Sequence, residues 1–300
     1  MTCGPDTDGH PAERHLAHGG HSPVGGTRIV VAGKGGVGKT TLTAMLARWL
    51  GRSGIDVVAV DADEQMNLAV ALGLDPEVAA ALVPLAAAAA YVEEKTGAAP
   101  GEGAGGLLRL NPDVTDVVDR LAVPVPDRVR LLVMGGVRGA GAGCLCPETS
   151  LLAAVVRAMR LRQHEVVVMD THAGVEHFGR SLALGFDQAV IVADPTFNAI
   201  QVGMDTVRLA QELGIATAHL VVNRVRDADD LARALGHLDR VERGGRARFR
   251  SIRAVAYDPA ALVTEPSIEP LLDGSVLGPD VAALGCQLVA PVPAPVAGVA

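Results

Sequence analysis

The sequence predicts one α/β domain, built on a mostly parallel sheet of about seven strands with helices on both faces. Three observations predict it. Short, nearly continuous apolar runs rich in Val and Ile recur along the chain, the pattern of strands buried on both sides. Most of these runs are followed by segments with apolar residues at helical spacing, and the alternation implies parallel strands joined by helical crossovers. No internal repeat is evident, and 300 residues with 49% hydrophobic content suffice for one large core. Four Phe, two Tyr and one Trp leave Ala, Val and Leu to fill that core.

Residues 1–27 are rich in Gly, Pro and His without periodicity and read as a disordered arm. The domain is expected to span residues 28–290, and residues 291–300 form a Pro/Ala tail expected to be disordered. Within the domain, residues 28–32 read as a first buried strand leading into a Gly-rich turn. Leu42, Met45, Leu46, Trp49 and Leu50 then recur at i, i+3, i+4, i+7 and i+8, a helix ending near Gly51 and Gly54. Residues 55–60 form a second strand closing on Asp61. Further strands are expected at 129–133, 166–169, 189–192 and 219–222, with a seventh at 253–256.

Composition excludes several classes. The formal net charge is −8, from 26 Lys and Arg against 34 Asp and Glu, which disfavours binding to a phosphate backbone. Arg240, Arg243, Arg246, Arg248, Arg250 and Arg253 crowd one segment; they suit either a solvated loop or the docking of an acidic partner. The longest apolar stretch, residues 79–92, is interrupted by Pro84 and is shorter than the roughly 20 residues of a membrane span. With no basic-then-apolar leader, a soluble cytoplasmic protein is expected, bound to neither nucleic acid nor membrane. The four cysteines, Cys3, Cys144, Cys146 and Cys286, are too few for a disulfide scaffold and suit a reducing compartment with a thiolate site.

Gly33-Lys34-Gly35-Gly36-Val37-Gly38-Lys39-Thr40 fills every defining position of a P-loop, between a predicted strand and a predicted helix. Glycines let backbone N–H groups converge on phosphates, and the helix N-terminus adds its positive dipole end. Lys39 reaches the β- and γ-phosphates, and the Thr40 hydroxyl is a magnesium ligand, with Thr41 beside it. Lys34 departs from a plain P-loop and resembles the deviant Walker A ATPases of the MinD, ParA and nitrogenase iron-protein types. That resemblance implies a lysine reaching across a homodimer to the partner's nucleotide.

Asp61 and Asp63 follow the second strand, and Asp170 ends the run at 166–169, where strand ends open onto a bound nucleotide. One carboxylate of the first pair can assist magnesium and the other can position water. By resemblance Asp63 takes the water, leaving Asp61 to magnesium, and Asp170 looks like the Walker B acid. Asn223 follows the strand at 219–222 and can pair with adenine N6 and N7, or simply form a turn. Arg226 stands where guanine-specific sites carry an Asp, which favours ATP over GTP.

Cys144-Leu145-Cys146 lies in a Gly loop before Pro147 and Glu148, which mark a helix start. Two thiolates are too few for one tetrahedral ion, but two apposed chains supply four, a set suited to Zn²⁺ or Ni²⁺. Four segments together resemble the nickel-insertion ATPases that mature carbon monoxide dehydrogenase (CooC type). They are the P-loop with Lys34; Asp61-Ala62-Asp63 with Asn67-Leu68; Gly143 to Glu148; and Asp170-Thr171 with Ala173-Gly174-Val175-Glu176-His177-Phe178-Gly179-Arg180. The likeness runs from about Arg28 to Cys286.

The resemblance implies a homodimeric ATPase using ATP and Mg²⁺ to hold and deliver Ni²⁺ or Zn²⁺, with carbon monoxide dehydrogenase or another nickel enzyme as client. It implies Lys34, Lys39 and Asp63 as the catalytic set. Nucleotide contacts fall to residues 33–41 and Asn223, magnesium to Thr40, Asp61 and Asp170, and the delivered metal to Cys144 and Cys146. His172 and Glu64 depart from the family pattern beside the nucleotide. His177 could relay nucleotide state or be structural. His10, His15, His18 and His21 could store nickel or belong to an unselected tail. Two other classes remain: a MinD- or ParA-type spatial-organisation ATPase, which predicts a basic C-terminal helix or DNA face, and an iron–sulfur carrier ATPase. From Gly278 onward the chain holds one Asp and no Lys or Arg.

Overall fold

The computed structural model describes residues 26–63, 65–99, 109, 111–135, 151–152, 154–156, 165–172 and 185–290. The expected arm (apart from residues 26 and 27) and the Pro/Ala tail lie outside the described residues. Among the described residues eight strands form one sheet, in the order β3-β4-β2-β5-β1-β6-β7-β8. They are β1 (Thr27–Gly33), β2 (Asp56–Ala62), β3 (Val123–Val125), β4 (Val129–Val133), β5 (Glu165–Thr171), β6 (Gln188–Ala193), β7 (Thr217–Val225) and β8 (Ser251–Ala256). All seven expected strands are present, and β3 is the eighth. It pairs antiparallel with β4, whereas the other pairings are parallel.

The strand count of seven is corrected for a physical reason. Val123-Pro124-Val125 is three residues long and carries a proline, which removes a ladder donor and argues against a strand. At the outer edge of the sheet that missing donor costs nothing, and Pro124 lies opposite Arg130. The turn back into β4 holds Asp127 and Arg128 in left-handed backbone, at φ 61° and 59°.

Both faces of the central strands are covered. Ile29, Val30, Val31 and Ala32 are all fully buried, and consecutive strand residues point to opposite faces. Each buried Val or Ile side chain contributes about 1.5–3 kcal/mol. Helix α1 (Lys39–Arg52) turns Leu42, Met45, Leu46 and Leu50 inward as its spacing predicts, and its neighbours are the strands and the C-terminal helix. Helices α2 (Leu68–Ala71), α3 (Pro76–Ala80), α4 (Ala89–Thr96) and α5 (Val117–Leu121) occupy the stretch between β2 and β3. Helices α6 (Phe197–Glu212) and α7 (Ala228–Val241) pack on each other beside β6 and β7. The chain then passes through α8 (Ala260–Thr264) to α9 (Leu277–Val289), which packs on α1 and β8.

Two buried polar clusters tie these layers together. Arg48 of α1 is 1% exposed and donates to Asp127 at 2.6 Å, to the Leu72 carbonyl at 2.8 Å and to Glu269 at 2.7 Å. It thereby joins the β3–β4 turn, the exit of α2 and the segment before α9. At the opposite, amino-terminal end of the strands, His219 lies between Ser251 (Nδ1 to Oγ, 2.8 Å) and Gln188 (Nε2 to Oε1, 3.0 Å). Gln188 donates through Nε2 to the Leu288 carbonyl at 2.7 Å. Its Oε1 therefore accepts from His219 Nε2–H, and Nδ1 accepts the serine proton. Burial, with Arg250 and Arg253 nearby, pulls the His219 pKa down to about 4.

Of the six clustered arginines, Arg246 pairs with Asp239, Arg248 with Glu242, and Arg253 donates to Gln287. Half of that charge is thus engaged within the domain. No described helix is long and apolar enough to cross a membrane.

Candidate nucleotide site

The loop between β1 and α1 bends where side chains are absent. At Gly33 a Cβ would overlap the Val192 carbonyl of neighbouring β6. At Gly38, with φ 94°, a Cβ would lie 2.5 Å from the Asn223 side-chain nitrogen. Helix α1 starts immediately after, with no side-chain cap and no acidic residue in its first turn. Its first N–H groups and dipole end thus face the loop, as an anion site requires.

Lys39 is 7% exposed and its ammonium group donates to the Lys34 carbonyl at 3.1 Å. Burial lowers its pKa, against the raising effect of Asp170 and Asp63. Lys34 is half-buried, and among the described residues no carboxylate pairs with its side chain. Thr40 donates to Asp170 Oδ2 at 2.6 Å. Thr43, one turn further along α1, lies 3.4 Å from Asp170 Oδ1 and completes the grip on that carboxylate. Sequence reasoning missed Thr43, because a threonine inside a helix carries no motif.

Sheet register explains how two aspartates far apart in sequence meet. Asp61 and Asp170 are paired positions on adjacent β2 and β5. Both are at most 1% exposed. Burial raises the Asp61 carboxyl to about 7, with Asp170 adding to the effect, and raises Asp170 to about 6. Their oxygens face different partners. Asp170 is held by α1 hydroxyls, whereas Asp61 accepts the backbone N–H groups of Asp63 and Leu68, each at 3.0 Å. Asp63, just past β2, accepts the Gln65 N–H at 2.9 Å.

Asn223 in β7 donates to the Val37 carbonyl at 2.7 Å, clamping the loop to the sheet. A cleft opens beside it, lined by Thr41, Leu42, Asn223, Arg224, Tyr257 and Leu262 among others. Arg224 has φ 60°, at the irregularity in the β7–β8 pairing between Val222 and Val225. Asp258 also lines the cleft, but its carboxylate is engaged by the Ala260 N–H and the Ser275 hydroxyl, each at 2.9 Å. Apart from Asn223 and Thr41, these lining residues belong to no motif. The usable signal was positional, since several follow the carboxyl ends of β7 and β8.

The structure therefore brings together Gly33, Lys34, Gly38, Lys39, Thr40, Asp61, Asp63, Asp170 and Asn223, with Gly35, Gly36, Val37 and Thr41 in the same turn. Cys144 and Cys146 lie outside the described residues, as do Glu64, His177 and the rest of residues 173–184. Among the described residues no group of three or more His, Cys, Asp and Glu is placed to hold a metal.

Comparison with known proteins agrees with this geometry. The model of the CobQ/CobB/MinD/ParA nucleotide binding domain matches residues 28–260. The carbon monoxide dehydrogenase accessory protein CooC of Rhodospirillum rubrum is 38% identical over 224 residues, covering 75% of this chain and 84% of that one. An uncharacterized ATP-binding protein of Methanocaldococcus jannaschii, MJ0823, is 38% identical over 202 residues, covering 67% and 76%. Among solved structures, the MinD cell division protein of Aquifex aeolicus superposes with a TM-score of 0.60 at 19% identity, over 89% of this chain and 98% of that one. MinD of Pyrococcus horikoshii, complexed with Mg-ADP, gives 0.58 at 20% identity, over 86% and 94%. At those identities the structures speak for the fold alone.

Proposed function

Because the chain belongs to the CobQ/CobB/MinD/ParA nucleotide-binding family, we propose that this ATPase works as a homodimeric metallochaperone that carries Ni²⁺ or Zn²⁺ to carbon monoxide dehydrogenase or another nickel enzyme. One observation carries the reading: the kinship with CooC over most of both chains, in a sequence that holds Cys144-Leu145-Cys146.

The nucleotide half of the proposal rests on the P-loop cleft. Phosphates lie along residues 33–41 against the start of α1, with Lys39 toward the β- and γ-phosphates. The base enters the cleft beside Asn223, whose side-chain nitrogen keeps a second proton after bonding Val37 and whose oxygen can accept from an adenine amino group. Thr40 and Asp170 offer the hard oxygen donors that magnesium prefers, so the donor set fits that ion. Magnesium, when bound, offsets charge on the β- and γ-phosphates. Asp63 orients water for attack, and Lys34 reaches the nucleotide of a second subunit. The net charge of −8 disfavours nucleic acid as a partner, and the reading places the domain in the cytoplasm, away from the membrane. Helix α9 contains Asp280 and no Lys or Arg, which disfavours the MinD-type alternative of a basic membrane-binding helix.

The metal half rests on stoichiometry. Two Cys-x-Cys loops meeting at a two-fold axis present four thiolates, the number a tetrahedral Zn²⁺ or Ni²⁺ takes. Metal titration combined with sedimentation tests this on the wild type and on Cys144→Ser/Cys146→Ser. The expected result is about one ion per dimer, lost in the double variant. One ion per monomer that survives the substitutions overturns the shared site, and a brown, iron-containing protein from anaerobic purification replaces the nickel reading with the cluster-carrier one.

A further inference from the structure

Asp61, next to last in β2, is fully buried beside Asp170 on the neighbouring strand. Identical residues at paired positions invite identical roles, yet their oxygens are spent differently. Asp170 Oδ2 accepts from Thr40, the threonine placed at magnesium. Asp61 Oδ1 accepts the Asp63 N–H at 3.0 Å and Oδ2 accepts the Leu68 N–H at 3.0 Å.

Those two donors sit at the ends of one short segment. It begins with Asp63, passes Met66 in left-handed backbone at φ 51°, and ends where α2 begins. The residue preceding α2, Asn67, supplies no side-chain cap, so Asp61 satisfies a first-turn N–H of that helix from a distance. Asp63 Oδ1 in turn accepts the Gln65 N–H at 2.9 Å within the same segment. One buried carboxylate thus fixes both ends of the loop that carries Asp63.

We propose that Asp61 is a positioning residue, which braces the chain at Asp63 and at Leu68 and so aims Asp63, and that it is not a magnesium ligand. This rests on the reading of Asp63 as the residue that orients the attacking water. An ionised carboxylate is an acceptor at both oxygens and can serve two N–H donors, whereas an amide presents one acceptor and turns an NH₂ group toward the other donor. Asp61→Asn therefore breaks one arm of the brace while keeping size and shape.

The test compares Asp61→Asn with Asp170→Asn in the full chain, by amide hydrogen exchange without nucleotide, by binding of fluorescent ADP with and without Mg²⁺, and by steady-state ATP turnover. For Asp61→Asn, amide exchange across residues 63–72 rises about tenfold or more, the effect of losing a buried backbone partner. Its kcat falls about a hundredfold, as expected for a misplaced reacting geometry. The tightening of ADP by Mg²⁺ stays within about threefold of wild type, less than one lost hydrogen bond to a charged group. Asp170→Asn gives the reverse pattern: magnesium-dependent tightening is lost and exchange in residues 63–72 is unchanged. Unaltered exchange in Asp61→Asn, or loss of its magnesium-dependent tightening, overturns the proposal. The exchange arm needs no catalysis. If Asp63→Ala hydrolysed ATP at the wild-type rate, the water-orienting reading would fall, while exchange would still decide whether Asp61 is the brace.

Discussion

At Gly38 two demands meet: a backbone φ of 94°, and an Asn223 nitrogen 2.5 Å from the site of any Cβ. Gly38→Ala must meet backbone strain of about 1–2 kcal/mol and also push away the side chain that holds the Val37 carbonyl. ADP affinity is expected to fall about tenfold or more, measured by calorimetric titration, and Asn223→Ala should cost less, because it removes the clamp without straining the loop. An Asn223→Ala loss larger than that of Gly38→Ala would contradict this ranking. The glycine, lysine and threonine positions were legible because the motif is local, and each residue's neighbours in sequence are its neighbours in space. The Asn223–Val37 bond was not, since its partners lie 186 positions apart. Asp170 occupies a middle ground. A strand-end aspartate was readable, but its bond to Thr40 appears only once β5 is placed beside β1.

Among elements, six of the seven strands that the apolar runs announced lie inside the sheet, and the seventh, β8, is an edge strand with Val255 buried and the rest half-buried. The strand they did not announce, β3, lies at the edge, where Pro124 is tolerated and no run of Val is needed. Where β6, β7 and β8 join α9, stability depends on His219 remaining neutral. Its folded pKa of about 4 lies below the ordinary 6.5, so the unfolded chain binds more protons between those values. The neutral network therefore contributes fully above about pH 6.5, and its contribution is lost progressively as pH falls toward 4. Urea unfolding at pH 7 and pH 5 should show a loss on the order of 1–3 kcal/mol on acidification. His219→Leu should be less stable at pH 7, since Ser251 loses its acceptor and Gln188 its donor, yet show a shallower acid slope. An unchanged slope would assign the acid sensitivity elsewhere.

For the whole molecule, the arrangement of charge points outward from one rim. Asp63 and Asp170 act on Lys39 within the chain, while Lys34 stands at the loop without a carboxylate partner among the described residues. On the proposed dimer, Lys34→Ala should cost ATP-driven dimerisation more than ATP binding to the monomer, as read by sedimentation with a non-hydrolysable analogue. Equal losses in both would place Lys34 in its own subunit's site. The dimer is a reading of the sequence, through Lys34 and Cys-x-Cys, whereas the cleft beside Asn223 needed coordinates, because its walls come from four separated segments of chain. The sheet order has a further consequence, for biosynthesis. Strand β1 precedes the other described strands in sequence yet lies at the centre, between β5 and β6, so Thr27 finds its partner only at Val166 and Ile29 its other partner only at Gln188. At roughly 5–20 residues per second, the nascent chain exposes an unpaired Val- and Ile-rich strand for on the order of ten seconds. The phosphate loop can therefore take its folded shape only late in synthesis, and until then the exposed strand is the kind of unpaired apolar edge that invites aggregation.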